Sequence, residues 1–226
     1  MIGFYDYTVI LTYMSLVSAV GGIALVTSAH PILATFCLLF CGLCDMFDGK
    51  VARSKKNRTQ DEKSFGIQID SLVDVVAFGA LPGIMTIELC GHSWYAYIVS
   101  ALFVLAGVIR LAYYNVTEEL RQKDTDEVRK TYSGLPITSS ALIFPFFFCL
   151  ISAYCMKIDH ISLFLDLFEK TGFRIALCSI TGVTGLAYIT PFKLRKPGSR
   201  ELWFILLFGV AMALVLLFVY LKIVCK

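Results

Sequence analysis

Seven stretches of this chain are long and apolar enough to cross a bilayer as helices: roughly residues 8–28, 31–49, 66–88, 94–114, 135–156, 173–192 and 201–222. A spanning helix needs about 20 mostly apolar residues, so these segments leave little chain for any other architecture. Only 16% of the 226 residues are charged and 58% are hydrophobic, with a mean hydropathy of +0.75. A water-soluble domain carries about a quarter charged residues. The expected fold class is an all-α integral membrane protein. The first apolar run has no basic n-region and no small-residue cleavage site, and is expected to stay as a helix. No internal repeat or low-complexity tract divides the chain, and no nucleic-acid partner is expected.

The basic residues orient the bundle. The 50–65 connection holds Lys50, Arg53, Lys55, Lys56, Arg58 and Lys63, the 115–134 connection Arg121, Lys123, Arg129 and Lys130, and the 193–200 connection Lys193, Arg195, Lys196 and Arg200. In an alternating topology these three connections share one side, which the positive-inside rule makes cytoplasmic. The opposite connections near 29–30 and 89–93 have no Lys or Arg, while 157–172 has Lys157 and Lys170. Residues 1–7 read as an interfacial lead-in, and 117–131 as a short amphipathic surface helix. All eight cysteines lie in or beside apolar segments. They do not form a secreted disulfide framework, and Cys37, Cys41 and Cys44 read as packing residues.

Against this apolar background, four acids stand within thirty residues: Asp45-x-x-Asp48-Gly49-x-x-Ala52-Arg53, then Gly66-x-x-x-Asp70-x-x-x-Asp74. Charges in membrane helices are costly and mark function. Positions three and four apart share a helix face, so Asp45, Asp48, Gly49 and Ala52 form one stripe and Gly66, Asp70 and Asp74 another. Facing each other, the stripes would make a carboxylate cluster that needs cations, and hard oxygen ligands suit Mg²⁺ or Mn²⁺. Two such ions are suited to displacement at phosphorus. Gly49 and Gly66 allow close approach of a ligand to the backbone, and Arg53 offers a bidentate fork to a phosphate. The segment reads as a metal-dependent site for a diphosphate at the cytoplasmic ends of spans two and three.

The motif Asp-x-x-Asp-Gly-x-x-Ala-Arg…Gly-x-x-x-Asp-x-x-x-Asp resembles, at every fixed position, the signature of the CDP-alcohol phosphatidyltransferases. Within that family the resemblance is to the membrane-embedded phosphatidylserine synthases. It is carried by Phe65-Gly66-Ile67-Gln68-Ile69-Asp70-Ser71-Leu72-Val73-Asp74-Val75-Val76-Ala77-Phe78-Gly79, with support from Arg110-Leu111-Ala112, Asn115 and Gly134-Leu135-Pro136, and covers about residues 8–145. The chain departs from the pattern in two places. Twelve residues separate Arg53 from Gly66, a longer spacer than usual, and Leu11-Thr12-Tyr13-Met14-Ser15 stands where many relatives carry an Asn. No His is followed two residues later by Lys, which excludes the phospholipase-D-like chemistry.

The resemblance implies a six-helix core within residues 1–192, with 193–226 adding a basic loop and a C-terminal helix. It implies that Asp45, Asp48, Asp70 and Asp74 bind two metal ions, that Asp45, Gly49, Ala52, Arg53 and Gly66 line the CDP pocket, and that Asp74 is the general base. The reaction implied is attack of the L-serine hydroxyl on CDP-diacylglycerol, giving phosphatidylserine and CMP, in a homodimer at the cytoplasmic membrane. Arg110 is the candidate partner for the serine carboxylate, with Asn115 a second; the alternatives for Arg110 are snorkelling or pairing with a site aspartate. Other readings keep the chemistry with inositol phosphate or glycerol phosphate as acceptor, or replace it with divalent-cation transport. Helix-end acids and the lack of a repeat weigh against transport.

Overall fold

The first two apolar segments fold back on each other because the residues between them end one helix and start the next. The computed structural model describes residues 3–124, 131–157, 170–195 and 198–225. Helix α1 (Ile10–Thr27) follows a short 3-10 turn, Tyr7–Val9, capped by Asp6. The Asp6 carboxylate accepts the Thr8 amide at 2.8 Å and the Thr8 hydroxyl. Ala29 takes a positive φ of 61° in the turn, and Pro31 starts α2 (Pro31–Ser54), where its fixed φ and missing N–H cost nothing. The hairpin is tied by Ser18 Oγ donating to Cys37 O at 3.2 Å and by Cys41 Sγ donating to Ser15 O at 3.3 Å. Cys41 and Cys44 are buried, as expected of packing residues.

Two helices run further than hydropathy alone indicates. Helix α2 continues through Arg53 to Ser54, and α3 (Gln60–Asp74) begins six residues before the apolar run at 66. The cause of the early start is a capping box. Thr59 Oγ1 accepts the Glu62 amide at 3.2 Å, and Glu62 returns a carboxylate oxygen to the Thr59 amide at 2.9 Å, satisfying two donors that a helix start otherwise orphans. The third span then passes through a π-helical turn, Val75–Ala80, into α4 (Leu81–Leu89). Pro82 has no N–H to return to the Phe78 carbonyl four residues earlier, and Ser140 Oγ donates to that carbonyl at 3.1 Å.

Helix α5 spans Trp94–Asp124 without a break. The segment expected to form a separate surface helix at 117–131 is, up to Asp124, the end of this long helix; residues 125–130, with Arg129 and Lys130, lie outside the described residues. After a 3-10 turn at Ile137–Ser139 come α6 (Ser140–Lys157), α7 (Thr171–Ile189) and α8 (Ser199–Val224). Among the described residues six helices are long and apolar enough to cross a membrane, and the seventh apolar segment forms the turn at Ile137–Ser139 and α6. The chain is an all-α, multi-pass membrane protein, helical over most of its described residues. One element was not legible as periodicity: strands β1 (Thr131–Ser133) and β2 (Lys193–Arg195) pair antiparallel, with Tyr132 opposite Leu194. This ribbon puts the connection after α5 beside the connection after α7, as the expected topology requires.

The core runs through Leu38, Phe78, Met85, Phe103, Phe144 and Leu177. Without a hydrophobic force between helices in lipid, close packing depends on small residues and interhelical hydrogen bonds. At Gly185 a Cβ would sit 3.1 Å from the Phe103 backbone, so α5 and α7 touch there. Thr86 and Thr181 hydroxyls meet at 2.9 Å across α4 and α7. In the aromatic run around Pro145, Phe144, Phe147 and Phe148 pack inward while Phe146 is exposed and meets Phe208 of α8 at 5.7 Å between ring centroids.

Candidate active site

Helical spacing alone sets the first half of the site. Along α2, Asp45, Asp48, Gly49 and Ala52 follow one another on a single half-buried face, and Arg53 lies four residues past Gly49. The Arg53 guanidinium folds back over that glycine: a Cβ there would stand 3.3 Å from Nη1. On α3, Gly66, Asp70 and Asp74 form the second stripe, with Asp74 buried at 8% exposure. The π turn begins one residue after Asp74. Such turns are frequent at functional sites, and here it also shifts the register between the acids and the apolar face of α4.

The two stripes converge. Carboxylate oxygens of Asp45, Asp70 and Asp74 all lie within 4.8 Å of one another, and the Asp48 and Asp70 carboxyls are within hydrogen-bonding reach. Among the described residues this is the one cluster of three or more metal-ligating side chains. The donor set fits divalent cations: it is all oxygen, it brings four acids together, and buried carboxylates this close cannot all stay ionised without counter-charge. An all-oxygen set suits Mg²⁺ or Mn²⁺ over softer metals.

Arg110, near the site end of α5, is buried at 8% exposure and within electrostatic reach of Asp74. Asn115, one turn further, donates its side-chain amide to Ser71 Oγ at 2.8 Å. That bond ties α5 to α3 next to Asp70, so the amide acts first as a strut between the helices.

Sequence reasoning treated the twelve residues between Arg53 and Gly66 as a spacer and missed what they build. Lys55 Nζ bridges Asp6 at 2.7 Å and Glu62 at 2.9 Å, pinning the N-terminal lead-in to the start of α3. The Lys55 hydrogen bond, with the Thr8 hydroxyl, holds the Asp6 carboxyl down to about 2. Phe4 packs edge-on against Phe65, centroids 5.4 Å apart. The same connection folds Arg58 against Gly66, where a Cβ would lie 2.6 Å from Nη2. The Thr59-x-x-Glu62 pattern was the readable signal for this early helix start; nothing in helical spacing pointed to Arg58.

Comparison with known proteins adds independent findings. Residues 7–172 match the sequence model of a family described as CDP-alcohol phosphatidyltransferase. The chain is 31% identical over 141 residues to a CDP-diacylglycerol–serine O-phosphatidyltransferase of Helicobacter pylori, covering 62% of this chain and 55% of that protein. It is 32% identical over 123 residues to the Saccharomyces cerevisiae protein of the same name, covering 53% and 43%. To an archaetidylserine synthase of Methanothermobacter thermautotrophicus it is 34% identical over 116 residues, covering 51% and 46%. The chain spans about half the length of these curated relatives. No solved structure matches it.

Proposed function

The chain belongs to the CDP-alcohol phosphatidyltransferase family, and from that premise we propose that it transfers the phosphatidyl group of CDP-diacylglycerol to the hydroxyl of L-serine, releasing CMP. The observation that carries this reading is the convergence of Asp45, Asp70 and Asp74 within 4.8 Å, with Asp48 on Asp70, beside the Gly49–Arg53 pair. Serine as the acceptor is supported by the names of the bacterial and yeast relatives.

Asp45, Asp48, Asp70 and Asp74 would hold two divalent ions, which when bound supply neutralisation of the diphosphate and of the departing CMP. Gly49, Ala52, Arg53 and Gly66, with Asp45, line the nucleotide pocket, where the small residues admit the substrate and Arg53 grips phosphate through its fork. The serine oxygen forms a bond to the lipid-side phosphorus as the bond from that phosphorus to the CMP oxygen breaks. Asp74 takes the hydroxyl proton. A carboxylate is a weak base for an alcohol, so transfer is concerted with attack and depends on position. Arg110 provides the charge partner for the serine carboxylate and offsets the buried aspartates. The positive-inside rule sets this end of the bundle in the cytoplasm. The family resemblance makes a homodimer the expected assembly, and residues 193–226 a basic loop and helix appended to the transferase domain.

The test is detergent-solubilised protein with CDP-diacylglycerol and Mg²⁺ or Mn²⁺, following CMP with L-serine, inositol phosphate or glycerol phosphate in parallel. Serine-dependent release supports the reading. Release with another acceptor keeps the chemistry and replaces the acceptor, and no release with any alcohol refutes both.

A further inference from the structure

We propose that Arg58 is a second phosphate ligand of the nucleotide pocket, set against Gly66 as Arg53 is set against Gly49; this rests on the transferase reading above. Arg58 stands in the short α2–α3 connection, residues 55–59, and is not a position of the aspartate motif. Its guanidinium occupies the space that a side chain at Gly66 would fill, with Nη2 2.6 Å from the ideal Cβ position. Gly66 precedes Asp70 by one helical turn, so the cation is set on the stripe that leads to the carboxylates. Arg53 does the same over Gly49, 3.3 Å from its ideal Cβ. The two pocket glycines are therefore each overlaid by a guanidinium, one from within its helix and one from the connection.

The bonding of Arg58 leaves it equipped for an anion. Nη2 donates to the Glu62 carbonyl at 3.0 Å, which anchors the group without neutralising it. The Glu62 carboxylate is already committed on both oxygens, one to Lys55 at 2.9 Å and the other to the Thr59 amide at 2.9 Å. Asp6 is held by the same Lys55 at 2.7 Å. The Arg58 Nε is buried and has no protein acceptor. Buried donors without acceptors are rare and call for an explanation. A guanidinium also has five donors in a fixed fork that matches phosphate. An anion held by the guanidinium that covers Gly66, the phosphate that remains with CMP, accounts for the unmet donor and the uncompensated charge together.

The experiment measures CMP and cytidine affinity by calorimetry in Mg²⁺-containing detergent for wild type, Arg58→Ala and Arg58→Gln, with a melting curve for each. Loss of a charge-assisted contact weakens binding by about ten- to a hundredfold. The expected result is that fall for CMP in both variants, with cytidine affinity unchanged, so the CMP-to-cytidine ratio drops. A strut that only braces the start of α3 would lower the melting temperature and leave that ratio intact, which overturns the proposal. Unchanged CMP affinity with a raised KM for serine overturns it too, and moves Arg58 to the acceptor. Arg58→Gln is shorter but keeps a polar amide and removes only the charged fork, so it reports on charge if Arg58→Ala fails to fold. A wild type that binds no CMP overturns the transferase reading and this proposal with it, whereas equal CMP binding by wild type and variants overturns this proposal alone.

Discussion

The end of α2 and the start of α3 present the same arrangement by different means. Each sets a glycine under a guanidinium, one turn from a carboxylate that joins the cluster. In α2 every part comes from one helix: Arg53 reaches Gly49 because residues four apart are neighbours. In α3 the guanidinium comes from Arg58, before the helix begins. It arrives there only because Thr59 and Glu62 cap the helix and Lys55 ties Glu62 to Asp6. One half of the site rests on periodicity, the other on the closure of a connection. The two halves should therefore respond differently to mutation, salt and solvent exchange.

The largest effect should come where the halves meet. Asp74→Asn removes the proposed base and one charge of the cluster, and serine-dependent CMP release should fall by roughly 10²–10⁴-fold. In EDTA the same variant should melt above wild type, because one of several mutually repelling buried carboxylates is gone. Divalent ions should stabilise the wild type more than the variant. A variant with near-normal turnover would remove Asp74 from the chemistry.

The next effect separates the halves. Gly66→Ala must push the Arg58 guanidinium aside, since its Cβ would lie 2.6 Å from Nη2, while Gly49→Ala, at 3.3 Å from Nη1, asks Arg53 to give by only a few tenths of an ångström. CDP-diacylglycerol KM should rise about tenfold in Gly66→Ala and less in Gly49→Ala, a difference of about 1.4 kcal/mol per tenfold. In an Arg58→Ala background the Gly66→Ala effect should shrink, because both changes remove one interaction. Additive losses would show that Arg58 and Gly66 act separately.

A smaller and more selective change is expected at Arg110. Arg110→Lys keeps the charge near Asp74 but loses the fork that holds a carboxylate, so serine KM should rise several-fold while CDP-diacylglycerol KM moves little. Equal changes in both would assign Arg110 to the aspartates instead.

What could be read from the sequence follows the same division. The apolar spans, the side shared by the basic connections and the two carboxylate stripes are all consequences of helical repeat and side-chain cost in lipid, and each depends on residues close in sequence. The π turn after Asp74 was not legible, because it depends on Pro82 and on Ser140, 62 residues away from the carbonyl that Ser140 satisfies. The β1–β2 ribbon joins residues 131–133 to 193–195, a pairing that no local pattern announces. Arg58 is intermediate: the capping box was written in Thr59 and Glu62, but which cation would fold over Gly66 depended on where Lys55 spent its charge.

The smallest effect tests that last dependence. Asp6 lies near the surface and its partner Lys55 is about a quarter exposed, so the pair contributes little in high dielectric and less in salt. Its sign is fixed by the depressed Asp6 carboxyl, held at about 2 against an ordinary 3.8. The stabilisation is fully present above the ordinary value and is lost as pH falls through the depressed one. The melting difference between wild type and Asp6→Asn should thus be constant from neutral pH to about 5 and close as pH approaches about 2. Molar salt should close it as well. Because Lys55 links Asp6 to Glu62, the variant should speed amide exchange at Glu62 and Lys63, whose N–H groups bond to Thr59, and leave the amides around Gly49 unchanged. Equal acceleration in both places would mean that α2 also leans on the connection, and that the two halves are not independently built.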